Sequence, residues 1–385
     1  MYNRKLVFTA ACLGMLIFGI VMTTLGTIMP SLIGKFGFDK ANAGTLMMLM
    51  SLGMLLGSLI FGPLVDRYGY KWMLIVCASL ILIGIEGIAL AHNLSWLRVF
   101  ILLVGFGGGV INGGTNALVA DISEEGKSAG LSILGVFFGI GAIGVPLLLG
   151  SLMGQVSYEW LMELVGLLVL IPLGFIIAIR FPSPKHAQGF PLKEGFGLLK
   201  EVVLVLFGLI LFFQSGMEMT VGNWSSLFLK EELSLGLNKA VLILSLYWLG
   251  MVIARLLLGY LLRKISPAVV QFSSLTVAFV GLVIMILSND VTLSASGLFL
   301  SGLGLAAVYP VILGYVGERY AHLSGTAFSI VFVMALIGGM LFPWLTGALG
   351  EHYGLRLSFV VIPVILCLSL ILFWINLKKQ SSYNK

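Results

Sequence analysis

Gly62-Pro63-Leu64-Val65-Asp66-Arg67-Tyr68-Gly69-Tyr70-Lys71 is a short polar break in a chain that is otherwise almost uniformly apolar. Before it lies an apolar stretch over 41–64, and after it another over 73–91. Each is long enough to cross about 30 Å of hydrocarbon as a helix rising about 1.5 Å per residue. The break therefore reads as the hairpin between two membrane spans. Gly69 permits the tight turn, and Asp66 can face a helix N-terminus or a neighbouring arginine.

Outward from this hairpin the pattern repeats. Apolar segments fall near 6–30, 41–64, 73–91, 97–120, 128–153, 158–180, 200–229, 238–262, 268–288, 293–317, 323–349 and 355–377, which predicts twelve transmembrane helices. Composition agrees. The 385 residues are 59% hydrophobic and 10% charged, with a mean hydropathy of +1.10. A soluble domain carries about 25% charged residues, so the solvent for most of this surface is lipid. The 49 glycines suit close helix packing, because lipid supplies no hydrophobic drive and small residues let backbones approach.

The same features exclude other classes. The net charge of +6 resides in short loops beside apolar spans, so no nucleic-acid partner is expected. Cys12, Cys77 and Cys367 stand alone within apolar stretches, with neither metal spacing nor a disulfide framework. The first apolar run, Leu6 to Met29, exceeds a signal-peptide core and reads as the first span. His92, His186, His322 and His352 all fall in loops, and there is no H-E-x-x-H or G-x-S-x-G motif. An enzyme is not expected, and neither is a cofactor or a metal.

Basic residues orient the bundle. With the N-terminus cytoplasmic, that side carries Arg4, Lys5, Arg67, Lys71, Lys127, Arg180, Lys185, Lys193, Lys200, Arg263, Lys264, Arg319, Lys378, Lys379 and Lys385. The other side carries only Lys35, Lys40, Arg98, Lys230, Lys239 and Arg356. The excess predicts that both termini are cytoplasmic. The longest stretch between spans, 181–199, holds Pro182, Pro184 and Pro191 and reads as a cytoplasmic linker between residues 1–180 and 200–385.

Those two halves repeat. At a shift of 197 positions Gly62 falls on Gly259, Asp66-Arg67 on Arg263-Lys264, Gly105 on Gly302, Asp121 on Glu318, Ser132 on Ser329, Pro146 on Pro343 and Gly150 on Gly347. Parallel repeats about an axis normal to the membrane place a substrate site near the midplane, between the halves.

With the hairpin in its place between spans two and three, Gly62 to Lys71 resembles the G-x-L-x-D-R-x-G-R-K signature of the major facilitator superfamily. Tyr70 stands where that signature has a basic residue, and the second copy, Gly259 to Lys264, has lost its acid. The resemblance implies an all-α membrane protein of two pseudo-symmetric six-helix halves that works by alternating access. It also implies a cytoplasmic gate of Asp66, Arg67, Lys71, Asp121, Arg263, Glu318 and Arg319 that stabilises the outward-facing state.

Within that fold, spans one, four, seven and ten line the cavity. Span four carries Asn112 and Asn116 four residues apart, hence on one helix face, behind the run Gly105 to Gly109. Span seven carries Gln214 and Glu218 at the same spacing, then Asn223 and Trp224. Tyr309 is the 197-shift partner of Asn112. These segments resemble the fucose, galactose and glucose proton-symporter branch. Amides and a carboxylate suit hydroxyls, and Trp224, Trp248 and Tyr309 suit the apolar faces of a sugar ring. Glu218 is the expected proton-coupling residue, since a carboxyl group deep in a span is costly and usually faces a cavity or a partner.

The expected partners are thus a small solute, a proton and the lipid bilayer, and the chain is expected to act as a monomer in a bacterial cytoplasmic (inner) membrane. Two rival readings rest on residues. Gly141-Ala-Ile-Gly144-Val-Pro146-Leu-Leu-Leu-Gly150 is similar to an antiporter signature, which favours efflux, and a solute sensor in the same fold is a third reading. Arg255 is expected to snorkel toward the cytoplasm, and Glu86 to seek the membrane interface.

Overall fold

The computed structural model describes residues 2–122, 127–182, 200–320 and 324–383, so most of the expected linker lies outside the described residues. Twelve helices among the described residues are long and apolar enough to cross a membrane. In the first half these are α1 (Arg4–Phe36), α2 (Lys40–Phe61), α3 (Arg67–Leu90), α4 (Leu94–Val119), α5 (Ile133–Leu152) and α6 (Tyr158–Ala178). In the second they are α7 (Val202–Glu232), α8 (Leu237–Lys264), α9 (Pro267–Leu287), α10 (Val291–Arg319), α11 (Ala327–Tyr353) and α12 (Leu355–Lys379). An even number of crossings puts both ends of the chain on one face, the terminal face. The opposite side is called the far face.

Local chemistry sets the turns. Helix α1 runs through Pro30 and on to Phe36, past the expected limit at residue 30, because one missing N–H is tolerated in a packed span. It stops at Gly37, whose φ of 63° is left-handed and whose N–H reaches the Ile33 carbonyl at 2.9 Å. Asp39 then caps α2 through the Asn42 N–H at 2.7 Å. The signature hairpin turns at a single residue, Gly69, with φ 77° and ψ 164°. Lys71 reaches across to the Ile177 and Ile179 carbonyls at 2.9 and 2.7 Å, satisfying the end of α6.

The repeat is visible in the packing. A methyl group on Gly53 would collide with the Leu102 carbonyl oxygen and crowd the Phe106 nitrogen, and one on Gly250 would meet the same atoms of Phe299 and Leu303. Gly105 likewise lies against the Met50 carbonyl, as Gly302 lies against that of Tyr247. Every partner is displaced by the same 197 positions, so α8 packs on α10 as α2 packs on α4.

The halves meet along α1/α7, α2/α11 and α5/α8. Gly26 of α1 sits against the backbone of Gly222 and Asn223, and Ser226 donates to the Gly26 carbonyl at 2.6 Å. Ser51 donates to the Gly339 carbonyl at 3.1 Å. At the far face Lys40 joins α2 to the second half. Its ammonium lies 3.2 Å from Glu231, and its N–H donates to Glu351 at 2.8 Å. Along α1/α7 and α2/α11 the seam is therefore closed from the middle of the bundle to the far face.

Candidate functional site

A break in α10 builds the centre of the site. Regular helix covers Val291–Leu305 and resumes over Val308–Arg319, where the sequence pattern had suggested one unbroken span. Pro310 has no N–H, and its ring would clash with the carbonyl of Ala306, four residues earlier. The break leaves the Leu305 carbonyl to Gln214, whose Nε2 donates to it at 2.8 Å.

Gln214 in turn orders Glu218 one turn further along α7. The same Nε2 lies 3.4 Å from Glu218 Oε2, and both residues are buried. Glu218 Oε1 lies 3.9 Å from Arg255 Nη2 of α8. Here the structure corrects the sequence: Arg255 does not reach for the terminal face. Its guanidinium rests over the Phe138 ring, 5.4 Å from the centroid. An aromatic face and a carboxylate together hold a cation that lipid would otherwise expel. The Tyr247 hydroxyl donates to the Glu218 carbonyl at 3.4 Å, and the Tyr309 hydroxyl meets the Ser215 side chain beside the Glu218–Arg255 pair.

Trp248 completes this side. It stacks edge-on to Phe138 and to Tyr247, with centroids 6.1 and 5.1 Å apart, and packs against Gly222. Two buried polar atoms here, Gln214 Oε1 and Trp248 Nε1, have no hydrogen-bond partner among the described residues. An acceptor and a donor are thus left for something that arrives later.

The expected residues of the first half form a separate group. Asn116 Nδ2 donates to the Asn112 carbonyl at 2.8 Å, lies 3.2 Å from Asn112 Oδ1, and approaches the Met15 sulfur of α1 at 4.0 Å. Both amides are half-buried. Phe18, one turn beyond Met15, packs on Phe138 at 5.6 Å. The amide pair and the carboxylate pair thus flank one aromatic contact and do not touch each other.

Asn223 and Trp224 lie toward the far face. Asn223 Nδ2 donates to Met219 O at 2.8 Å, and its backbone packs on Gly26. The indole N–H of Trp224 donates to the Pro343 carbonyl at 2.9 Å, and its ring packs against Gly347. Trp224 is fully enclosed between α7 and α11.

Of the expected gate, Tyr70 donates to Asp121 Oδ2 at 2.7 Å. Arg67, Arg263 and Glu318 are exposed. Arg67 and Arg319 each lie over the following tyrosine, at 5.2 and 6.0 Å. The side chain of Asp66 lies outside the described residues. Glu86 stands apart from the central cluster, packed between α3 and α6 against Gly166. In the antiporter-like segment Gly141 lies against the α1 backbone and Gly150 against Leu242 of α8, while Gly144 has open space around it.

With this geometry in hand, the chain can be placed among known proteins. The model of the Major Facilitator Superfamily matches residues 11–329 and 207–385. The chain belongs to the major facilitator superfamily. The glucose/mannose transporter GlcP of Bacillus subtilis is 22% identical over 345 residues, covering 86% of this chain and 84% of that protein. Among solved structures, the nucleoside transporter NupG superposes with a TM-score of 0.84 at 15% identity, over 97% of this chain and 100% of that one. A D-xylose-proton symporter superposes with a TM-score of 0.81 at 14% identity, over 96% and 97%. At such identities the structural matches show the major facilitator fold alone. The relatives are transporters, and this chain is a multi-pass membrane transporter of that superfamily.

Three residues of the central cluster escaped the sequence reading: Ser215, Phe138 and Tyr247. The pairing of Arg255 with Glu218 is open to the sequence only with both side chains extended, and the structure shows it at 3.9 Å.

Proposed function

We propose that this transporter moves a small polyhydroxylated solute, a sugar, by alternating access, together with a proton carried by Glu218. The observation that carries the reading is the buried Glu218 at the seam of the halves, tied to Arg255 at 3.9 Å, beside the unpartnered Gln214 Oε1 and Trp248 Nε1. Glu218 and Arg255 cancel in charge, so the site favours a neutral ligand. Sugar hydroxyls match one free acceptor and one free donor better than an apolar cation does. Likeness in sequence to a glucose/mannose transporter supports the same class.

In this reading Gln214, Glu218, Tyr309 and Trp248 bind the solute from the second half, and Asn112 and Asn116 from the first. Asn223 and Trp224 close the site from the far face. Protonation of Glu218 releases Arg255 and lets the halves exchange openings. Asp66, Arg67, Lys71, Asp121, Arg263, Glu318 and Arg319 then close the terminal face, which we assign to the cytoplasm with both termini. The halves are residues 1–180 and 200–385, joined by the 181–199 linker, and the monomer is the working unit.

Counterflow in proteoliposomes tests this directly. Vesicles loaded with one unlabelled hexose at a time should draw in its labelled form, and Glu218→Gln should keep that exchange while losing proton-driven accumulation. Counterflow with lipophilic cations and with no sugar would overturn the substrate class. Intact accumulation by Glu218→Gln would overturn the coupling role.

A further inference from the structure

The far-face seal is asymmetric. On the α2/α11 side two carboxylates converge on Lys40: Glu231 at 3.2 Å from its ammonium, and Glu351 accepting its N–H at 2.8 Å. Glu351 thereby meets the N-terminus of α2 beside the Asp39 cap, where a carboxylate is favoured by the helix dipole. The Lys40 backbone carbonyl lies against Gly347, and its side-chain stem against Gly350.

One repeat away, none of this chemistry exists. The positions corresponding to Lys40, Glu231 and Glu351 are Leu237, Gly34 and Gly154. There the α5/α8 seam holds instead a cavity of about 310 Å³ lined by Met153, Gly154, Gln155, Leu237 and Asn238. Helix α8 begins at Gly236 without a side-chain cap. An internal repeat that keeps the packing glycines Gly53/Gly250 and Gly105/Gly302 has, among the described residues, placed the ion pair of its far-face seams on one side.

We propose that Lys40 is the bolt of the far-face gate, and that its contacts with Glu231 and Glu351 set how often this face opens. This rests on the alternating-access reading above. Opening the far face separates α2 from α11, so these contacts break once in every cycle. Among the described residues, the far-face end of the α5/α8 seam shows no ion pair to break. The strength of the Lys40 cluster is thus a term in the equilibrium between the two openings, and residue 40 tunes turnover without touching solute.

Thiol accessibility tests this without any solute. Ser226 is fully buried at the seam, bonded to Gly26. Ser226→Cys, in a background with Cys12, Cys77 and Cys367 changed to alanine, is labelled by a membrane-impermeant maleimide only when the seam opens. The reagent is added in turn to intact cells and to inverted vesicles. Lys40→Met and Glu231→Gln should each raise the labelling rate about two- to fivefold, the range expected for a partly exposed ion pair. The double variant should match the single ones, because either change removes the same contact. Unchanged rates in both single variants, or strictly additive effects, would overturn the bolt. A rise confined to inverted vesicles would keep the bolt and overturn the assignment of the terminal face to the cytoplasm.

Discussion

Lys35 lies 2.9 Å from Glu159 where α1 ends and α6 begins, and one repeat later Glu232 lies 3.3 Å from Arg356 with the charges exchanged. The same joint, between the first and sixth helices of a half, is thus closed by an ion pair of opposite sense. What the repeat preserves is complementarity, not residue type. In the first half Lys35 also takes the Ala89 carbonyl at 3.2 Å and covers the Tyr158 ring at 4.6 Å. In the second, Arg356 takes Asn289 at 2.7 Å, and its N–H reaches Glu232 at 3.2 Å.

The first prediction follows. Lys35→Glu places two carboxylates together and should lower the unfolding midpoint in detergent, at a cost of about 1 kcal/mol for a partly exposed pair. Adding Glu159→Arg recreates the arrangement of the second half and should recover most of the loss. Differential scanning fluorimetry reads both, and no recovery would mean that Lys35 acts through Ala89 and Tyr158 alone.

The central pair predicts a different pattern. Arg255→Met leaves Glu218 in the span without its cation, and removing one partner of a buried pair costs about 3–5 kcal/mol. Arg255 is 29% exposed, so the loss should fall below that range. Combining it with Glu218→Gln removes the stranded charge and should restore stability while transport stays lost. A double variant no more stable than Arg255→Met would show that the guanidinium matters through Phe138 and not through Glu218.

Much of this was legible in the chain itself. Twelve apolar runs, the signature hairpin and the 197-residue shift depend on composition and local spacing, and each maps onto a helix, a turn or a packed glycine. The cluster was only half legible. Gln214 and Glu218 share a helix face by spacing alone, but their ties to Leu305 and Arg255 cross between helices. No single-helix pattern reports such distances. Arg255 was misread because a cation in a span ordinarily escapes to the interface, and the Phe138 ring that holds it belongs to the other half. Trp224 looked like a stacking platform, yet an indole beside Pro343 spends its N–H on holding α7 to α11.

Glycine substitutions separate packing from chemistry. Gly302 lies against the Tyr247 backbone, and a methyl group there must move α8, so Gly302→Ala should cost about 1–3 kcal/mol as overpacking does. Gly259 has open space around it, and Gly259→Ala should be neutral or slightly stabilising because alanine favours the helix. Thermal unfolding of the two variants side by side checks the contrast. Equal midpoints would deny that the close approach constrains the half.

Tyr70 gives the last prediction. It occupies the place of a basic residue in the superfamily's signature and binds an acid there, its phenol donating to Asp121 at 2.7 Å. A neutral donor keeps the geometry without adding a charge, and so leaves Asp121 its full negative charge for a partner across the seam. Tyr70 is buried while Asp121 is exposed, so the bond is worth about 1 kcal/mol, toward the low end for a charged acceptor. Tyr70→Phe should therefore weaken the link between α3 and α4 and slow exchange a few-fold. Tyr70→Arg should keep the link but neutralise Asp121, disfavouring closure of the terminal face if that closure uses this carboxylate. Counterflow rates with the solute found by the hexose screen distinguish the two. Loss in Phe with full activity in Arg would mean that the contact is purely a strut. Loss in both would mean that the charge on Asp121 is itself part of the gate.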